Sequence, residues 1–97
     1  MASSLSLRKL TGSTSLFEQT VDSGETLNIA VTVTGAAAGD VASVTFPHAD
    51  YNQAVVVSIV CSTNTVTVGF TALEIDGIVT NAEWTNASAT LRVSIIK

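Results

Sequence analysis

The chain has 97 residues, of which 46% are hydrophobic and only 12% are charged, and its net charge is −4. This length fits one domain with its own core. Four cations are too few to form a phosphate-binding patch, which disfavours both nucleic acids and anionic membranes as partners. With half the charged share of an average soluble protein, the surface must consist largely of Ser, Thr, Asn and Ala. Such a surface suits assembly with other subunits, although it is also typical of Thr-rich β-proteins.

Cys61 is the only cysteine, so neither an intrachain disulfide nor a multi-cysteine metal site can form. The first residues lack the apolar core of a signal peptide, because Ser4 and Ser6 interrupt the leucines. No apolar run approaches the roughly 20 residues that cross a bilayer. We therefore expect a soluble product made in a cytoplasm.

The N-terminal segment, residues 1–15, begins with the alternating leucines Leu5 and Leu7 and ends in a Thr-Gly-Ser-Thr-Ser break. This pattern predicts either an ordinary edge strand or an arm that lies on a neighbouring subunit. Residues 1–15 are accordingly interpreted as an arm or first strand, and residues 16–97 as a single β-domain. Leu5 and Leu7 become candidate interface residues. A short strand is predicted over residues 16–21.

The clearest strand covers residues 26–34, where apolar side chains alternate with polar or small ones, the pattern of a strand with one buried face. The apolar positions are Leu27, Ile29, Val31 and Val33.

A structural turn is predicted directly after this strand, at Gly35, Gly39 and Asp40. Glycine adopts positive φ without penalty, and an aspartate side chain can accept a hydrogen bond from nearby backbone. We expect at least one of Gly35 and Gly39 to have a positive φ.

Alternation resumes over residues 41–46 and predicts a strand that ends at Pro47, which has no N–H to give to a sheet. The predicted loop over residues 47–53 holds His48 and Asp50. Two potential metal ligands without a third nearby are a weak signal, so we expect a solvated loop and no metal or other cofactor.

Residues 54–61 are apolar on both faces of a predicted strand, which therefore needs a second cover, either a loop of the same chain or a partner subunit. Val56 and Val60 are candidate interface residues on one face. The pattern and the low charge together predict a homo-oligomer, either a dimer or a trimer. Cys61, on the other face, is predicted to be buried and unreactive rather than a nucleophile.

A tight turn at residues 62–64 and renewed alternation predict a β-hairpin over residues 54–70. Residues 71–89 are the least regular segment, with a short extra strand expected near residues 77–80. Trp84 lies in this segment and either packs over the end of the fold, which we favour, or serves as an interface anchor. Residues 91–95 predict a final strand.

No segment shows a helical period with caps. Six to eight short strands with regularly spaced turns predict an all-β fold, namely a two-sheet antiparallel β-sandwich, with a jelly-roll-like arrangement as the nearest alternative. No arrangement of residues predicts catalysis, so an enzyme is not expected.

Three sequence blocks carry a family resemblance. The first is Ser-Gly-Glu-Thr at 23–26, leading into Val-Thr-Val-Thr-Gly-Ala at 31–36 and Gly-Asp-Val at 39–41. The second is Asn-Thr-Val-Thr-Val at 64–68, and the third is Thr-Leu-Arg-Val-Ser-Ile at 90–95. In order and spacing these blocks resemble a small β-domain of tailed-bacteriophage virions, found among capsid decoration (cement) proteins and in tail-fibre or other tail-associated proteins.

The resemblance implies a structural role without catalysis, as a homo-oligomer. Because the chain shows no tail-attachment region, a decoration protein on the outer capsid surface is preferred, with the major capsid protein as partner and synthesis in a bacterial host. The net charge of −4 also favours an outer surface over a lumen facing packaged DNA. The alternatives are a tail or tail-fibre structural protein, or a carbohydrate-binding β-sandwich module, which would show several exposed aromatics on one face.

Overall fold

The computed structural model describes residues 8–47, 55–73 and 81–97. All regular structure in these ranges is β-strand, and every strand pair is antiparallel, which confirms the all-β prediction. The strands are β1 (Lys9–Ser15), β2 (Thr20–Val21), β3 (Thr26–Thr32), β4 (Ala42–Thr45), β5 (Val55–Ser62), β6 (Thr65–Ala72), β7 (Ala82–Glu83) and β8 (Thr90–Ile96).

Two three-stranded sheets and one two-stranded sheet account for these strands. The first sheet has the order β1-β8-β4, and the second has the order β3-β6-β5. The short strands β2 and β7 form the third. Strands β6 and β8 are central in their sheets, and alternation in the sequence predicted both of them as it predicted β3.

One cluster of buried residues draws on both three-stranded sheets. Its members from the second sheet are Val31, Val66, Val68, Phe70 and Ala72, and those from the first are Leu91, Val93 and Ile95. Side chains in between point outward, since successive residues of a strand face opposite sides. The alternation in the sequence therefore assigned the buried face of β3, β6 and β8 correctly.

Strand β1 lies against the backbone of β3 at Gly12. A Cβ added at Gly12 would lie 2.8 Å from Cγ2 of Val33 and 3.1 Å from Cγ1 of Val31, and closer still to the carbonyl oxygen of Thr32. An isolated glycine in a strand often marks such a close backbone approach. The predicted break at residues 11–15 is therefore wrong, because β1 runs through it.

The prediction of a strand over residues 16–21 is also wrong for most of that segment. Only β2 (Thr20–Val21) remains, because Glu18 has a φ of 67°, which a strand does not accommodate. Leu16 nevertheless reaches the core and is fully buried.

The β5–β6 hairpin is confirmed, with Ser62 opposite Thr65 across the turn and a positive φ of 55° at Asn64. A short strand does occur in the irregular segment, at Ala82–Glu83, where it pairs with β2. The position predicted for it, residues 77–80, lies outside the described residues.

Trp84 is a core residue, which overturns the alternative that it is an interface anchor. Its side chain is 1% exposed and packs edge-to-face against Phe70 at a ring-centroid distance of 5.2 Å. The indole Nε1–H donates to the carbonyl oxygen of Pro47 at 2.9 Å, so the polar end of the buried ring is satisfied. Phe46 completes the group, 5.0 Å from Phe70. The packing interpretation of Trp84 is the correct one.

Candidate functional site

The outward side of the first sheet carries a mainly polar surface, which we call the polar face, with the exposed side chain of Ile96 at one end beside Lys9. Its residues alternate along each strand with side chains that point toward the core. They are Lys9, Thr11 and Ser13 on β1, Arg92 and Ser94 on β8, and Ser43 and Thr45 on β4.

The strand register aligns these side chains in rows across the sheet. Arg92 lies between Ser13 and Thr45, and Ser94 lies between Thr11 and Ser43. Directly opposed residues in antiparallel strands have Cα atoms roughly 4.5 to 5.5 Å apart, so neighbouring hydroxyl groups are close enough to contact one partner group together.

An open groove of about 640 Å³ runs along the polar face. Its lining is hydroxyl-rich, and Val93, the one apolar side chain among the described residues that line it, belongs to the core. Pockets for small organic ligands are lined mainly by hydrophobic and aromatic side chains. The groove therefore suits the polar groups of a macromolecular surface better than it suits a small organic ligand.

The polar face is locally positive although the whole chain has a net charge of −4. Lys9 and Arg92 both lie on it, and none of its residues named above is a carboxylate. Lys97, by contrast, is held in an ion pair with Asp40, with Nζ 3.1 Å from Oδ2. Two of the four cations in the chain are thus available on one face.

The predicted turn at Gly35, Gly39 and Asp40 is present and is held by hydrogen bonds. Gly35 has a φ of 95° and Gly39 a φ of 92°, so the expected positive φ occurs at both. The N–H of Ala37 donates to Oδ2 of Asp40 at 2.9 Å, and the N–H of Asp40 donates to the carbonyl oxygen of Ala37 at 3.1 Å. This hydrogen bond from the Ala37 backbone, together with Lys97, lowers the pKa of Asp40.

Asn64 ties the same turn to the tip of the β5–β6 hairpin. Its Oδ1 accepts from the N–H of Gly35 at 2.9 Å, and its own N–H donates to the carbonyl oxygen of Ala36 at 2.8 Å. Lys97 adds a hydrogen bond from Nζ to the carbonyl oxygen of Gly35 at 2.9 Å. Sequence reasoning missed both Asn64 and Lys97, because each lies far from the turn along the chain.

Strand β5 exposes apolar side chains in the single chain. Val56 is 50% exposed and Val60 is 62% exposed on the outward side of the second sheet. On the inward side Ile59 is 39% exposed, and Cys61 is only half-buried. The prediction of a buried Cys61 is therefore wrong, because the core covers β5 incompletely.

The remaining predicted residues either lie elsewhere or form no site. Leu5, Leu7, His48 and Asp50 lie outside the described residues. Within residues 8–47, 55–73 and 81–97, no group of three His, Cys, Asp or Glu side chains could hold a metal ion. In the same ranges no helix is long and apolar enough to cross a membrane.

The described aromatic side chains do not form a platform for stacking sugars. Phe70 and Trp84 are buried, and Phe46 packs on both. Phe17, which is 40% exposed, stands apart from that group in the turn before β2. This arrangement gives the carbohydrate-binding alternative no support in the part of the chain that the structure describes.

No protein-family model, curated protein or solved structure matches this chain.

Proposed function

We propose that this protein is a non-enzymatic structural component of a bacteriophage virion, a decoration (cement) protein that binds the outside of the capsid and stabilises it. The proposed fold is a two-sheet antiparallel β-sandwich, with a jelly-roll-like arrangement as the alternative. The single core shared by both three-stranded sheets supports a sandwich, as does the close approach of β1 to β3 at Gly12. The sequence blocks at residues 23–41, 64–68 and 90–95 support the virion assignment.

The polar face is the observation that carries the proposal. A positive, hydroxyl-rich face on an acidic chain is complementary to an acidic, hydrophilic protein surface, and such complementarity sets orientation and rate of association. Arg92 lies at its centre, between Ser13 and Thr45. A guanidinium group can hold a carboxylate through two parallel hydrogen bonds, which adds geometric specificity. Ser and Thr side chains lose little rotamer freedom when a partner orders them.

The proposed partner is the major capsid protein on the outer surface of the shell. A ligand that binds only the assembled lattice stabilises it by mass action, by about 2.7 kcal/mol per site at a free concentration of 100 times Kd. Because a shell repeats the same site many times, a modest gain at each site raises the stability of the whole particle. An outer position also keeps a chain of net charge −4 away from packaged DNA.

The test compares capsid binding by charge-reversal variants at matched positions. Arg92→Glu changes the centre of the polar face, whereas Arg8→Glu makes the same charge change at an exposed residue whose side chain extends toward Gly35 instead. We expect Arg92→Glu to weaken binding to purified undecorated capsids at least tenfold, about 1.4 kcal/mol, and Arg8→Glu to bind like the parent. Co-sedimentation at several salt concentrations measures this.

Two further measurements address stabilisation and location. Particles carrying the protein should disrupt at a higher temperature than particles without it, and immunogold labelling should mark the capsid. Equal binding by Arg92→Glu and the parent would refute the role of the polar face. Equal disruption temperatures would remove the stabilising role, and label confined to the tail would favour a tail or tail-fibre protein.

A further inference from the structure

Strand β5 forms an edge of the second sheet that the described residues leave unpaired. It pairs with β6 on one side, and no described strand pairs with it on the other. Unpaired backbone N–H and C=O groups along such an edge form a template for a further strand. At eight residues, β5 offers a long template.

The sequence of β5 lacks the features that usually protect an edge. Natural edge strands are kept from pairing by short length, charged residues or proline. Strand β5 reads Val-Val-Val-Ser-Ile-Val-Cys-Ser and contains none of these. Other sheet edges are different, because β4 has four residues, β1 carries Lys9, and β3 contacts β1.

The side chains of β5 are arranged symmetrically about Ser58. Val56 and Val60 lie two residues to either side on the outward face, where both are at least half exposed. Val57 and Ile59, the residues before and after Ser58, both lie on the opposite, inward face. A two-fold symmetric interface needs a self-complementary surface, and a strand that is symmetric about one residue provides it.

We infer that β5 pairs antiparallel with β5 of a second copy of this chain, with the two-fold axis at Ser58. Val56 then faces Val60 of the second copy, Val57 faces Ile59 of that copy, and the two Ser58 side chains face each other. The two second sheets become one continuous six-stranded sheet, β3-β6-β5 followed by β5-β6-β3.

The register centred on Ser58 is preferred over a register shifted by two residues because of the side-chain pairs that it forms. Cross-strand pairs of β-branched residues stabilise a sheet. A shift of two residues would place Val56 opposite Ser62 and Val60 opposite Ser58, so both valine pairs would be lost. The Ser58-centred register also gives the half-exposed Ile59 a neighbour on the inward face.

The inference assigns a surface to the homo-oligomer that the sequence predicts, and its test requires no capsid. Cysteine cross-linking tests the register directly, in a Cys61→Ala background that leaves one thiol per chain. Opposed residues in antiparallel strands have Cα atoms roughly 4.5 to 5.5 Å apart, within the range that a disulfide spans. We expect the Ser58→Cys variant to form a covalent dimer on mild oxidation.

Two further single variants provide the matched controls. Val56→Cys and Val60→Cys should cross-link with each other when mixed, because these positions face each other across the axis. Neither should cross-link with itself, since identical positions lie four residues apart along the strand, about 13 Å. Ser43→Cys, exposed on the polar face, gives the rate of random collisional oxidation.

Light scattering and sedimentation then test whether β5 causes association. The parent should have twice the mass of one chain, and Val60→Lys should reduce it to one chain, because two lysines would be brought to the paired edge. Val60→Thr keeps the β-branched shape without charge and should remain dimeric. Circular dichroism should show both variants folded, since Val60 is 62% exposed in the single chain.

The inference is overturned if the parent remains monomeric at all concentrations, or if Ser58→Cys cross-links no faster than Ser43→Cys. It is also overturned if β5 is found paired with a strand of a different protein. A cross-linked dimer that fails to bind capsids would refute the proposed function alone. Capsid binding by a strictly monomeric parent would refute this inference alone.

Discussion

Replacing Gly12 by alanine tests the close contact between β1 and β3. The added Cβ would meet Cγ2 of Val33 at 2.8 Å, and it would also meet the backbone carbonyl oxygen of Thr32. A backbone atom cannot rotate away as a side chain can, so β1 must move away from β3. Gly12 has no positive φ, so alanine adds no backbone strain and the effect isolates packing.

The expected cost follows from two opposing effects. Overpacking a tight site destabilises by about 1 to 3 kcal/mol. Alanine also restricts the unfolded chain, which stabilises by roughly 0.4 to 1 kcal/mol. Because the clash involves backbone, we expect a net loss in the upper part of the range, about 1 to 2.5 kcal/mol. At about 4 to 8 °C per kcal/mol for a domain of this size, the melting temperature should fall by roughly 5 to 20 °C.

Thermal unfolding followed by circular dichroism measures this loss, with Ser13→Ala as the matched control. Ser13 is the next residue of β1 but is exposed on the polar face, so its change should stay within about 0.5 kcal/mol. A Gly12→Ala protein that melts at or above the parent temperature would refute the contact between the two strands. An equal loss of stability in both variants would show that substitutions anywhere in β1 destabilise the fold and that the effect is not specific to the contact with β3.

Two further predictions concern the turn after β3. Gly35→Ala and Gly39→Ala should each destabilise by about 1 to 2 kcal/mol in thermal unfolding because both glycines have positive φ. Gly35→Ala should lose more stability than Gly39→Ala, because its added Cβ also lies 3.2 Å from Cδ1 of Leu10. Melting of both variants at or above the parent temperature would contradict this prediction. Asp40→Asn should be less stable than the parent at pH 7, and the difference should shrink as pH falls below about 4. The sign follows from the lowered pKa of Asp40, whose ionised form stabilises the fold until it is protonated, and a pH-independent difference would contradict it.

Alternation predicted the strands whose two faces meet different surroundings. Val31, Val68 and Val93 are buried as expected, because a period of two fixes which face meets the core. The Gly35 turn was predictable for a similar reason, since its requirement is local and glycine satisfies it. These features depend only on residues adjacent in the sequence.

Features that depend on distant contacts were not predictable in the same way. Gly12 suggested a break in the sequence, yet in the fold it is the residue that lets β1 approach the Thr32 carbonyl oxygen. The partners of the Gly35 turn, Asn64 and Lys97, come from the hairpin and from the C-terminus. Trp84 lies in a polar segment, but Phe70 and the Pro47 carbonyl group hold it in the core. Periodicity carries no information on such pairings.

The polar face and the edge of β5 lie on different sheets, so pairing through β5 would leave both polar faces of a dimer free for a repeating capsid surface. Two linked binding sites raise apparent affinity by about 10² to 10⁴ when the geometry allows both to engage. Val60→Lys should therefore bind capsids more weakly than Val60→Thr, although Arg92 is intact in both. Binding isotherms on purified capsids measure the difference. The double variant Val60→Lys, Arg92→Glu, which is monomeric and lacks the central arginine, gives the background level of binding. Equal affinity of the two Val60 variants would mean that each polar face binds alone, and the dimer would then contribute nothing to attachment.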